Sequence, residues 1–397
     1  MHLASHIAAL GTESAFEISA RAAALAARGR SVINLGIGQP DASTPPHVVE
    51  AACQALRDGH HGYTPANGIL ALREAIAADA ARRLAVEVDP GQIVVVPGGK
   101  VTLSFAMLIL GRPGVEILYP DPGFPIYRSM IDFSGATPVG YPLHERDGFS
   151  FSADEVLARI TPRTRLLVLN SPANPTGGVA PRAELERLAA GLAHHPEVFV
   201  LSDEIYARIV FGPAGHASLL SFASLRDRLI VLDGLSKTYA MTGWRLGWGI
   251  WPGELAEIAT RLSINIHSCV NAATQHAGIA ALTGTQEPVD RMVATFAERR
   301  EVIVEALNRL PGVRCAKPGG AFYAFPDITA TGFSARELQD RWLDEIGVAT
   351  IAGQSFGARG EGHLRFSYAS SLDSIREAMR RLDAWLHDHV APLRHSA

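Results

Sequence analysis

Five polar segments of this chain each follow directly on a short apolar run, and between them they hold the groups that chemistry needs. They are PGGK (97–100), PDPGFPIY (120–127), NSPANPTGG (170–178), SDEIY (202–206) and DGLSKTYAMTGWRLG (233–247). Their side chains include an amide (Asn174), an acid (Asp203), a phenol (Tyr206), a lysine (Lys237) and an arginine (Arg245), while Gly98, Gly99 and Lys100 open a helical pattern. A lysine amine held neutral is a nucleophile and a general base, and the backbone N–H groups at a helix start bind anions. Taken singly, each feature has a plainer explanation. Asp203 reads as a helix cap, Asn174 as a turn, Lys237 as a solvated cation and Gly98-Gly99 as a tight corner. Their occurrence together, in this order, points instead to one reactive site. It is not a Walker A phosphate loop, because Val94 stands where the first Gly belongs and Val101 follows the Lys.

The apolar runs must position these groups. IVVV (93–96), EILY (116–119), RLLVL (165–169), VFVL (198–201), LIVL (229–232) and GWGI (247–250) are short, rich in β-branched residues and followed by helical patterns. Near-continuous apolar strands are buried on both faces, which implies an α/β fold with a mostly parallel central sheet and helices on either side. In such sheets ligands bind beyond the carboxyl ends of the strands, where the polar segments begin. Residues 14–30 predict an amphipathic helix, and Ser31–Leu35 a short strand leading into the turn GIGQPD (36–41). From about residue 285 the pattern changes to a long charged helix (291–310), GGAFYAF (319–325), HLRFSYA (363–369) and a last amphipathic helix, which reads as a smaller α+β domain. The expected division is an N-terminal arm (1–40) belonging with the small domain, a large domain (41–285) and a small C-terminal domain (286–397), with a cleft between.

Composition narrows the classes. Hydrophobic residues at 47% and charged residues at 19% exclude disorder and coiled coil, and a formal charge of -4 gives no drive toward nucleic acid or an anionic membrane. The widely spaced Cys53, Cys269 and Cys315 form no CxxC pair, and the 15 histidines show no HExxH spacing, so no metal site is expected. Neither a secretory signal nor a membrane-spanning run is legible, so the expected location is the cytoplasm.

With these residues in view, the chain resembles the class I/II aminotransferases, fold type I enzymes of the aspartate, aromatic and alanine aminotransferase kind that use pyridoxal 5'-phosphate (PLP). GLSKTYAMTGWRLG fits that family's lysine signature, with a small residue before Lys237 and then Gly243, Arg245 and Gly247. GIGQPD, YTPANG, PGGK, NSPANPTGG, SDEIY, GAFYAF and LRFSYA extend the likeness from residue 36 to 369. The aromatic at position 124 is Phe rather than Trp, and Val101 stands where relatives often carry a polar residue.

The resemblance implies the following roles. Lys237 forms the internal aldimine and moves the substrate proton, Asp203 pairs with the pyridine nitrogen, and Tyr206 and Asn174 hydrogen-bond the ring oxygen. Gly99, Lys100, Ser236 and Arg245 hold the phosphate, and Phe124 stacks on the ring. Tyr63 reaches the phosphate of a neighbouring subunit, which implies a homodimer with shared sites. Arg365 grips the substrate carboxylate, with Gly38 and Asn174 completing that pocket, and its closure draws the domains together. The implied reaction is ping-pong transfer of an amino group from an L-amino acid to a 2-oxo acid. The same constellation also serves a PLP-dependent lyase or cyclase. A ligand-sensing half of a transcription regulator would need a DNA-binding domain ahead of residue 14, for which no room is expected. Side-chain specificity rests on walls near Phe16, Phe124, Ser263 to His267 and Gln354 to Phe356, whose aromatic content tilts it toward apolar or aromatic amino acids, with an acidic donor left open.

Overall fold

The structure is a computed structural model that describes residues 5–213 and 215–390. Its strands, in chain order, are β1 (Ile33–Asn34), β2 (Ile93–Val96), β3 (Glu116–Asp121), β4 (Thr137–Pro142), β5 (Thr164–Asn170) and β6 (Phe199–Asp203). They continue as β7 (Leu229–Gly234), β8 (Gly247–Ile250), β9 (Tyr323–Ala324), β10 (Val348–Ala349), β11 (Ile351–Ala352) and β12 (Leu364–Ser367). Seven of them form the central sheet in the order β2-β8-β7-β6-β5-β3-β4. Every residue of β2 and β3 is buried, as the unbroken apolar runs require of a sheet covered on both faces.

β4 escaped the sequence reading. Its TPVGYP carries two prolines and its first residue is exposed, which is tolerated because β4 lies at the sheet edge, where a missing N–H costs no ladder bond. GWGI is a strand as expected, but β8 runs antiparallel to both β2 and β7. The reason is its connection: only a four-residue helix (Leu235–Thr238) and a 3-10 turn (Thr242–Trp244) separate β7 from β8, too little for a right-handed crossover. The reversal brings the start of β8 to the edge where β2 and β7 end, with Gly247 opposite both Val96 and Gly234. A Cβ on Gly247 would stand 2.5 Å from the Gly99 nitrogen, so only glycine allows that close approach.

The N-terminal segment threads across the fold. The helix Ser14–Ala27 is fastened by Arg21 to Asp340 at 2.6 Å and Asp344 at 3.1 Å. Residues of β1 pair in parallel with β10, Ile33 opposite Val348. β11, β12 and β9 make a separate antiparallel sheet, packed with Trp342, Phe366 and Trp385 in its own cluster. The long charged helix begins at Glu287, four residues ahead of the expected start, because Pro288 opens it favourably in the first turn.

Candidate active site

The strand ends converge on a cavity of about 450 Å³. β6 ends in Asp203, β5 ends in Asn170, and Asn170 pairs in register with Asp203. The Asn170 amide donates to the Asp203 carbonyl at 3.1 Å and its oxygen accepts the Asn174 N–H at 2.9 Å, which shapes the loop that carries Asn174. Lys237 lies on the short helix after β7, and its Nζ donates to the Gly38 carbonyl at 2.5 Å. The helix Lys100–Leu110 starts against Gly98 and Gly99, and its first N–H groups have no acceptor within the helix. Gly98 holds φ +95°, and a Cβ there would stand 2.1 Å from the Arg245 guanidinium.

Lys237, Asp203, Tyr206, Gly99, Lys100, Phe124, Asn174, Ser236, Arg245, Gly38 and Arg365 all line this cavity. Tyr63 does not. Its side chain is 93% exposed on the surface of the chain. Of the expected specificity walls, Phe16 and Phe124 line the cavity. The stretch 263–267 and residues 354–356 do not contribute lining, although the Phe356 ring lies 4.8 Å from the Arg365 guanidinium.

Burial governs the charges. It pushes Lys237 down to about 8, assisted by Arg365, Arg245 and Lys100 and opposed by Glu13. It pushes Asp203 up to about 6, against the hydrogen bond from Tyr127, the N–H of Ile205 and the charge of Lys237. Arg365 is only 3% exposed. It donates to Asn174 Oδ1 at 2.8 Å and to the Gly36 carbonyl at 2.6 Å, while its buried Nε has no partner among the described residues.

Several site residues were passed over in the sequence. The Tyr127 hydroxyl donates to Asp203 Oδ2 at 2.6 Å; its signal was the i, i+3 spacing from Phe124 at a helix start. Tyr323 meets Tyr206 hydroxyl to hydroxyl at 2.8 Å, and its ring lies 4.6 Å under the Arg365 guanidinium. Glu13 forms an ion pair with Lys100 at the cavity wall, which no local pattern announces.

The family model for aminotransferase class I and II matches residues 30–382. The aspartate aminotransferase of Geobacillus stearothermophilus is 35% identical, over 97% of this chain and 99% of its own length. The arginine–pyruvate transaminase AruH of Pseudomonas aeruginosa is 36% identical over 93% of each chain. The crystal structure of the aspartate aminotransferase from Rhizobium meliloti superposes with a TM-score of 0.93 at 32% identity, covering 98% of this chain and all of that one. Such agreement over nearly the full length joins the cavity to a known chemistry: this chain belongs to the class I and II aminotransferases, a family that works with PLP.

Proposed function

We propose that the cavity holds PLP on Lys237 and transfers an amino group from an L-amino acid to a 2-oxo acid. The observation that carries this reading is a buried lysine amine brought down to about 8, sharing one cavity with a buried carboxylate. The residues fit the group. A phosphate dianion suits the Gly98–Gly99 cradle, the open N–H groups of the helix after it, the Ser236 hydroxyl and the Arg245 guanidinium. When bound, PLP acts as an electron sink for the bond-breaking at the substrate Cα.

The protein groups do the rest. Asp203, when ionised, holds the proton on the ring nitrogen, and Tyr127 keeps that carboxylate charged by donating to it. Tyr206 and Asn174 hold the ring oxygen, and Phe124 supports the ring face. Lys237 Nζ, which burial lowers to about 8 so that its neutral form is far more accessible than that of an ordinary lysine, takes the proton from the substrate Cα and returns it. Arg365 binds the substrate α-carboxylate through its guanidinium, beside Gly38 and Asn174. Donor and acceptor use the same site in turn, so ping-pong kinetics follow.

Residues 41–285 would form the cofactor-holding domain, with 1–40 and 286–397 closing over the substrate; of these spans 1–4, 214 and 391–397 lie outside the described residues. We assign the active unit to a homodimer in which Tyr63 of each chain serves the other's phosphate. Exposed apolar side chains at Leu56, Leu70, Ile264 and Ile266 support that assembly, each between 53% and 57% exposed. Among the described residues no helix is long and apolar enough to cross a membrane.

Borohydride reduction with PLP, followed by peptide mapping, tests the central point. The chain holds three lysines, Lys100, Lys237 and Lys317, so the assignment is clean. Label on Lys237 is expected; label on Lys100 or Lys317 instead, or none, overturns the reading.

A further inference from the structure

Among the described residues the cavity lining carries four basic side chains, Lys100, Lys237, Arg245 and Arg365. Under the reading above, on which this inference rests, three have tasks for their side chains: cofactor attachment, phosphate and α-carboxylate. Lys100 lends its backbone N–H to the phosphate, but among the described residues lining the cavity its ammonium is the one cation left available to a second carboxylate on the substrate. That ammonium is already matched. Glu13 forms an ion pair with it across 87 residues of sequence.

Glu13 occupies the N-cap position of the helix Ser14–Ala27 but makes no cap hydrogen bond to it, although a helix start attracts a carboxylate. The side chain turns to Lys100 instead, where it is 15% exposed against 43% for Lys100. Its charge also acts on Lys237 and Arg365 inside the cavity. The cavity lining also offers apolar side chains at Phe16, Ile37, Leu103 and Phe124, with the Lys100 ammonium 5.4 Å from the Phe124 ring.

We propose that Glu13 sets the substrate class, selecting amino donors with uncharged side chains by neutralising Lys100. A dicarboxylic donor must break the ion pair and then lie against the Glu13 carboxylate, and both steps oppose binding. A cationic donor must compete with Lys100 for the same carboxylate. An apolar donor side chain leaves the pair intact and gains the aromatic and aliphatic wall.

The test uses the holoenzyme and compares kcat/KM for leucine, phenylalanine, aspartate, glutamate and arginine with pyruvate as acceptor. Leucine and phenylalanine should exceed the charged donors by about tenfold or more, roughly the discrimination expected of one unfavourable charge contact. Glu13→Gln should raise the aspartate-to-leucine ratio by about tenfold, mainly through KM, and Glu13→Asp, which keeps the charge, should hold the ratio near its original value. A ratio unmoved by Glu13→Gln, or an unaltered protein that prefers aspartate or arginine, overturns the proposal. If no donor reacts and Lys237 takes no label, the transaminase reading fails; if donors react and Lys237 is labelled but the ratio stays fixed, only the role of Glu13 falls.

Discussion

Replacing Tyr127 by Phe removes one hydroxyl, and with it the 2.6 Å bond to Asp203. Burial raises Asp203 to about 6, and the Tyr127 bond is the leading effect that restrains the rise. A hydrogen bond to a charged acceptor contributes about 1.5–3 kcal/mol. At about 1.4 kcal/mol per pKa unit, its loss lifts Asp203 by roughly one to two units. The sign follows from which form the ring needs. Only the ionised carboxylate holds a protonated ring nitrogen, so a higher pKa means that binding fails at a higher pH. The apoprotein should be titrated with pyridoxine 5'-phosphate, which lacks the aldehyde and so cannot react with Lys237, from about pH 5 to 9, the range spanning both shifted groups. The ligand's own ionisation is common to both proteins and cancels. The acid edge attributed to Asp203 should move from near 6 in the unaltered protein to about 7 or above in Tyr127→Phe. Packing changes little, since the ring keeps its edge-on contact with Phe124 at 5.7 Å. An edge that stays within about 0.3 unit, well under the roughly one-unit shift predicted, would show that Tyr127 does not govern the charge on Asp203.

Arg365→Gln removes the guanidinium and strands the Asn174 and Gly36 oxygens that it now satisfies. KM should rise about 100-fold for every amino acid donor, as for loss of a charge-assisted pair, and steady-state kinetics that show less than about a threefold change would refute the carboxylate role. Gly98→Ala forces a side chain into the left-handed region and against Arg245, at 2.1 Å. The Kd for PLP should weaken about 10- to 100-fold through the displaced phosphate donor; an unchanged Kd in a fluorescence titration would place the phosphate elsewhere.

Much of the candidate site was legible because strand ends are local features. An apolar run says where a buried strand stops, and in a parallel sheet that point faces the ligand edge, so Asp203, Asn174, Lys237 and Gly99 could be named from order alone. Tyr127 and Tyr323 were harder, since an aromatic beside other aromatics reads as core; their hydroxyl partners lie 76 and 117 residues away. The edge strand β4 hid behind its prolines. The direction of β8 hid in the shortness of a connection whose helix is only four residues long.

The order of apolar runs and the residue types that follow them were written in the chain, and they suffice for a mostly parallel central sheet, the family and most of the groups that the cavity gathers. The strength of those groups was not. Lys237 is lowered and Asp203 raised because packing strips water from both, and desolvation depends on everything that surrounds a side chain rather than on its neighbours in sequence. The same holds for the pairing of Glu13 with Lys100 and of Arg365 with Asn174, which join residues 87 and 191 positions apart once the N-terminal helix and the C-terminal strands fold over the sheet.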